Sequence, residues 1–192
     1  MEEINRISII GGPGTGKTTL AINLGNELKL PIYHMDQIAH LPNWIKRTKE
    51  ERDKIILDKI NENKWVIDGT YKGTLESRIK KSDLVIFLNY STLSKISGII
   101  KRYIKGRGKE KRELPGCKEK ISLEFLKYTF TWNIKQRKKI EDILNKNNKK
   151  DILIFKSRKE LNNWYEEKFN KKIEINWGKN GRELYLSRKE NT

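Results

Sequence analysis

At 192 residues the chain has room for one α/β domain with a small insertion. No apolar run approaches bilayer-spanning length, Met1-Glu2-Glu3 is no signal peptide, and the lone Cys117 cannot close an internal disulfide. These features exclude a membrane span and a disulfide scaffold, and a cytoplasmic location is expected. The net charge of +17 is uneven: residues 1–94 carry 14 Lys/Arg against 12 Asp/Glu, and residues 95–192 carry 28 against 13. The C-terminal half therefore either faces a polyanion, nucleic acid included, or is a lysine-rich solvated surface.

In chain order, Glu2 to Ile10 predicts a buried strand and Lys17 to Lys29 a helix carrying Leu20, Ala21, Ile22, Leu24 and Leu28 at helical spacing. Pro31 to Asp36 is a short strand ending in a carboxylate, and His40 to Trp44 is a loop. Thr48-Lys-Glu-Glu51 reads as a capping box opening a helix with Ile55, Ile56 and Ile60. Lys64 to Gly69 is a buried strand, Leu75 to Lys80 a short helix, and Leu84 to Leu88 a strand apolar on both faces, as parallel strands are. Thr92 to Lys105 is a basic helix. Gly106 to Glu119, interrupted by Gly106, Gly108, Pro115 and Gly116, has no periodicity and is expected to be a mobile insert. Leu123 to Leu144 is one long helix, Ile152 to Phe155 the last strand, and Ser157 to Glu160 caps a final helix. This βαβαβαβαβα order predicts an α/β three-layer fold, a five-stranded parallel sheet flanked by helices. The expected division is a domain over 1–170, with a lid insert at about 106–122, and an extension over 171–192. In the extension Asn180-Gly181 between alternating runs suggests a hairpin.

Between the first strand and the first helix lies G-x-x-x-x-G-K-[ST], with Gly11, Gly16, Lys17 and Thr18 in register. Gly11, Gly12, Pro13, Gly14, Thr15 and Gly16 permit a loop whose backbone N–H groups wrap an anion, and the following helix adds its positive end. Lys17 supplies a charge for the β- and γ-phosphates, the Thr18 hydroxyl is placed to ligate Mg2+, and Thr19 continues the cradle. This pattern predicts binding of a nucleoside triphosphate, taken as ATP with Mg2+. In an open parallel sheet the acceptor site falls at other strand ends. Asp36 there can orient an acceptor hydroxyl or take its proton, and Asp68 can hold Mg2+ through water. Arg102, Arg107 and Arg112 on or beside the insert are candidates to close over the phosphates, with Arg107 the most lid-like by position. Phe130, Ile134, Ile140 and Leu144 mark an apolar stripe on the long helix. Arg137 falls on it, either meeting an anion or snorkelling to water. Arg78, after Gly69-Thr70-Tyr71, is a candidate to touch a substrate anion. His34, His40 and Cys117 lack the companions a zinc site needs.

The phosphate loop, Tyr33-His34-Met35-Asp36, Pro42-Asn43-Trp44, Trp65-Val-Ile-Asp-Gly-Thr-Tyr71, Gly116-Cys117 and Leu123-Glu-Phe-Leu126 together resemble the bacterial DNA topology modulation proteins, over roughly residues 4–168. The resemblance implies an adenylate-kinase-like core with an acceptor-binding helix pair and a lid. It also implies that Asp68-Gly69 lies beside the acceptor and Mg2+, and that Asp36 matches an acidic residue contacting the acceptor hydroxyl in small-metabolite kinases. Nucleoside monophosphate kinases follow Asp-Gly with an aromatic residue, Pro and Arg; here Thr70, Tyr71 and Lys72 follow, so AMP is not implied as acceptor. The expectation is an ATP-dependent small-molecule kinase. Lys17, Asp36, Arg107 and Arg137 are expected in catalysis, and Arg102 with the loop on the nucleotide. Asp36, Asp68, Gly69, Tyr71 and Arg78 are expected at the acceptor, and Thr18 and Asp68 at the metal. The rival is a nucleotide-gated nucleic-acid-binding protein that affects DNA topology through its basic half.

Overall fold

A computed structural model of the chain describes residues 4–106, 110–111, 114–118, 121–147 and 151–175. Five strands form one parallel sheet: β1 (Arg6–Gly11), β2 (Ile32–His34), β3 (Trp65–Asp68), β4 (Leu84–Leu88) and β7 (Asp151–Phe155), in the order β2-β3-β1-β4-β7. The helices are α1 (Lys17–Glu27), α2 (Met35–Ala39), α3 (Lys49–Ile60), α4 (Lys72–Lys81), α5 (Thr92–Gly106), α6 (Leu123–Trp132), α7 (Lys138–Lys146) and α8 (Arg158–Phe169). No described helix is long and apolar enough to cross a membrane.

The central strands are buried on both faces, which is why they read as unbroken apolar runs. Ile7 and Ile9 of β1 pack with Leu20, Leu24, Ile86, Leu161 and Tyr165 on one side. Ile10 packs with Leu75, Val85, Phe87, Trp132 and Ile140 on the other. A third cluster of Met35, Ile56, Ile60, Trp65 and Ile67 anchors α2 and α3 beyond β3. The predicted capping box forms: Glu51 N–H donates to Thr48 Oγ1 at 3.2 Å, and Thr48 N–H to Glu51 Oε2 at 2.9 Å.

Three sequence expectations are corrected. The strand predicted to end at Asp36 stops at His34, and Asp36 lies in the first turn of α2, because Met35 turns inward to the third cluster and starts a helix there. The single helix predicted over 123–144 is broken by a π-helical segment, Asn133–Arg137. Eight residues separate the buried Trp132 and Ile140, more than two α-turns of about 3.6 residues each. The wider π turn takes up the excess and keeps both on the core. The apolar stripe is therefore Trp132, Ile140 and Leu144, while Phe130 and Ile134 are exposed. Within the insert, expected to lack structure, the described residues form a short antiparallel pair, β5 (Glu110–Lys111) and β6 (Leu114–Lys118).

In the tail, Asn23 Nδ2 donates to the Glu174 carbonyl at 2.9 Å, and Glu174 N–H donates to Asn23 Oδ1 at 2.8 Å, seating the chain on α1. Residues Ile173–Ile175 form no strand, and the remainder of the expected hairpin lies outside the described residues.

Candidate active site

The loop between β1 and α1 starts at the C-terminal edge of the sheet and hands the chain to the N-terminus of α1. Gly16 there has φ +92° and Gly14 has φ +71°, left-handed values that a side chain resists. Thr15 Oγ1 donates to the Gly12 carbonyl at 2.9 Å, Lys17 Nζ donates to the same carbonyl at 2.8 Å, and Gly11 N–H donates to Thr70 Oγ1 at 3.0 Å. These bonds tie the loop to itself and to the end of β3.

Asp68 closes the arrangement. It ends β3, is 4% exposed, accepts from Thr18 Oγ1 at 2.7 Å through Oδ2, and meets His34 Nδ1 at 2.8 Å through Oδ1. Burial alone would raise its pKa. The charge and hydrogen bond of His34, the Thr18 hydroxyl and the charge of Lys17 outweigh that and hold Asp68 below the usual carboxylate range. Thr18 and Asp68, placed at separate motifs in the sequence, are thus one oxygen-donor pair. Hard oxygen donors beside a phosphate loop fit a hard divalent cation that keeps waters and phosphate in its shell. In the sequence His34 lacks the companions a zinc site needs. Its alignment with Asp68 comes only from the parallel pairing of β2 with β3, which sets the two residues opposite each other.

On the neighbouring strand end, Asp36 is exposed on α2. Tyr71 is pushed up to about 12, by burial first and then by the Asp36 charge, against the opposing Arg52. Tyr128 of α6 is raised by burial and also feels Asp36. The Arg52 guanidinium lies 4.7 Å from the centre of the Tyr71 ring and pairs with Asp53 at 2.8 Å. Asp36, Tyr71, Tyr128 and Arg52 therefore gather beside the β3 end. The sequence marked the first two of these. It gave no signal for Tyr128 or Arg52, which arrive from different helices. β6 reaches the same neighbourhood: Trp44 N–H donates to Cys117 Sγ at 3.3 Å, seating the insert on the Pro42–Trp44 turn that follows α2.

Two arginines differ from expectation. Arg78 is fully buried, and its Nη2 donates to the Gly69 carbonyl at 2.6 Å. Burial pulls its pKa down to about 10 against the supporting charge of Asp68. It braces the Asp68-Gly69 strand end from behind and does not present itself to a solute. Arg137 is not on the core stripe: its Nε donates to Glu141 Oε1 at 2.9 Å and its side chain is 45% exposed. Glu141 also accepts from Asn89 Nδ2 at 3.3 Å, which brings Arg137 to the end of β4. Arg102 lies partly buried on α5, and Arg107 lies outside the described residues. Arg158, at the start of α8, was not singled out in the sequence. Its Nη2 donates to the Gly14 carbonyl at 2.8 Å and its Nη1 to Ser94 Oγ at 2.7 Å, clamping the loop to α5.

Comparison with known proteins agrees with this architecture. The sequence model of the ATPase family associated with various cellular activities (AAA) matches residues 7–69, from β1 through the Asp68-Gly69 strand end. Among solved structures, shikimate kinase from Acinetobacter baumannii, in complex with shikimate, superposes with a TM-score of 0.58 at 14% identity, covering 98% of this chain and 96% of that one. Shikimate kinase from Bacteroides thetaiotaomicron gives 0.52 at 16% identity, covering 88% and 99%. At these identities the likeness is one of fold: a P-loop NTPase fold of the kind used by small-molecule kinases. No curated protein matches the chain.

Proposed function

We propose that this chain is a P-loop phosphotransferase that moves the γ-phosphate of ATP to a small acceptor. The observation that carries the reading is the Thr18–Asp68 pair, 2.7 Å apart at the mouth of the phosphate loop, with Asp36 and Tyr71 gathered at the same strand end. Gly11, Gly12, Pro13, Gly14, Thr15, Gly16 and Thr19 form the anion cradle, and Lys17 leaves the Gly12 carbonyl to hold the β- and γ-phosphates. Thr18 and Asp68 would hold Mg2+, which supplies neutralisation of phosphate charge when bound. Asp36 orients the acceptor hydroxyl and accepts its proton as the oxygen attacks phosphorus. The neutral Tyr71 hydroxyl and the Gly69 backbone position that acceptor, with Arg78 fixing Gly69. Arg102, Arg107 and Arg137 are the cations for charge on the migrating phosphoryl group.

In this reading residues 1–170 are the catalytic domain, about 106–122 its lid, and 171–192 an extension. The chain would act in the cytoplasm as a relative of the DNA topology modulation proteins. The test is ADP release from MgATP against a panel of nucleosides, nucleotides, sugars and hydroxy acids. Acceptor-dependent release that disappears in Lys17→Ala supports the reading. No acceptor-dependent release, together with ATP-altered and salt-sensitive DNA binding, supports a nucleotide-gated nucleic-acid-binding protein instead.

A further inference from the structure

One buried cation lies against the phosphate loop without a role in that scheme. Lys95, in the first turn of α5, has no exposed surface. Its ammonium donates to Asn133 Oδ1 at 2.6 Å and lies 4.4 Å from the centre of the Trp132 ring. The contact with the loop is close: a Cβ added at Gly12 would lie 2.6 Å from Lys95 Cδ and 3.2 Å from its Nζ. That fit explains a glycine at Gly12, where φ is not in the left-handed region.

The charged groups facing Lys95 are themselves cationic: Lys17 from α1 and Arg137 from the π segment. Asn133, also on that segment, offers a neutral amide oxygen, and Trp132 a ring face. Glu141 of α7 is engaged by Arg137 and Asn89. No carboxylate among the described residues lies within ion-pairing distance of Lys95. A buried ammonium normally has a counter-charge or is neutralised. Here three cations converge beside a cradle built for an anion.

We propose that Lys95 is a second polyphosphate-directed lysine of the nucleotide site, its missing counter-charge being the phosphate chain of the bound nucleotide. The proposal rests on the reading of the loop as a nucleotide site and adds a residue to it. Asn133, which opens the π segment, holds Lys95, and Arg137 closes the same segment. Burial first, then Lys17 and Arg137, pull Lys95 down to about 8. A polyanion nearby stabilises the ammonium and raises that value. Binding near pH 8 therefore takes up a fraction of a proton, whereas well below pH 8 the lysine is already charged and no uptake follows.

The test is calorimetric titration of the full chain with MgATP at about pH 8 and about pH 6.5, each in two buffers of different ionisation heat. MgATP is fully ionised at the higher pH, so uptake there belongs to the protein. The expected result is about half a proton taken up per nucleotide at the higher pH in the wild type. Lys95→Arg, permanently charged, keeps affinity within about threefold and abolishes the uptake. Lys95→Met, which keeps an apolar stem against Gly12, weakens binding about tenfold or more and also abolishes uptake. MgATP affinity in Lys95→Met equal to that of the wild type overturns the proposal while leaving the nucleotide site standing. So does uptake that persists in Lys95→Arg. No binding of MgATP by the wild type overturns both.

Discussion

Asp68 is buried, and burial favours the neutral acid, yet His34 from β2 and the adjacent Thr18 and Lys17 at the start of α1 keep it ionised. Its charge belongs to the site and not to the residue alone. Asp36 is the contrasting case, exposed on α2. Its substitution should separate binding from chemistry. In Asp36→Asn, turnover is expected to fall at least tenfold while ATP affinity changes less than about twofold, measured by steady-state kinetics beside calorimetry. An equal loss of both would remove Asp36 from the acceptor role. Tyr71, pushed up to about 12, keeps its proton through neutral pH and can only donate or accept as a neutral hydroxyl. Tyr71→Phe should raise the acceptor KM with little change in the ATP KM, and an unchanged acceptor KM would contradict its placement.

Among elements, the phosphate loop and the central strands were legible because their requirements are local: glycines for the backbone, and apolar residues on both faces of β1, β3 and β4. The Thr48–Glu51 cap was legible for the same reason, and Thr48→Ala should cost about 1 kcal/mol in denaturant unfolding. What the sequence hid depends on pairing across distance. His34 meets Asp68 only through strand register, Tyr128 and Arg52 reach Tyr71 from two different helices, and Lys95 reaches the loop through a helix start. The π segment hid because a two-α-turn period extrapolated across it puts Phe130 and Ile134 inside, whereas a wider turn resets the face. At the opposite sheet edge, Asp83 accepts from Arg6 Nη2 at 2.7 Å and from the Asn5 and Arg6 N–H groups. Burial raises the Asp83 pKa, but Arg6 and the two N–H groups outweigh it, so the folded value is lowered. Its stabilisation is therefore complete above the unfolded carboxylate pKa of about 4 and is lost as pH falls through the folded value. The Tm gap between wild type and Asp83→Asn should be full at neutral pH and close on acidification below about pH 4. A gap that widens would reverse the sign of the argument.

For the molecule as a whole, the phosphate loop after β1, Asp36 just after β2 and Asp68-Gly69 at the end of β3 share the C-terminal edge of one parallel sheet. Trp44 N–H donating to Cys117 Sγ ties β6 to the turn after α2, and Arg158 donating to the Gly14 carbonyl ties α8 to the phosphate loop. If the insert closes over both substrates, proteolytic cleavage between Gly106 and Glu119 should slow several-fold with a bisubstrate analogue bound, and unchanged cleavage would deny it a lid role. The claim beneath all of this is that the glycine loop grips a nucleoside triphosphate. Calorimetric titration with ATP and magnesium tests it most directly: the account predicts one nucleotide bound per chain, lost in Lys17→Ala with the fold intact, and absence of binding heat with no thermal upshift would contradict it.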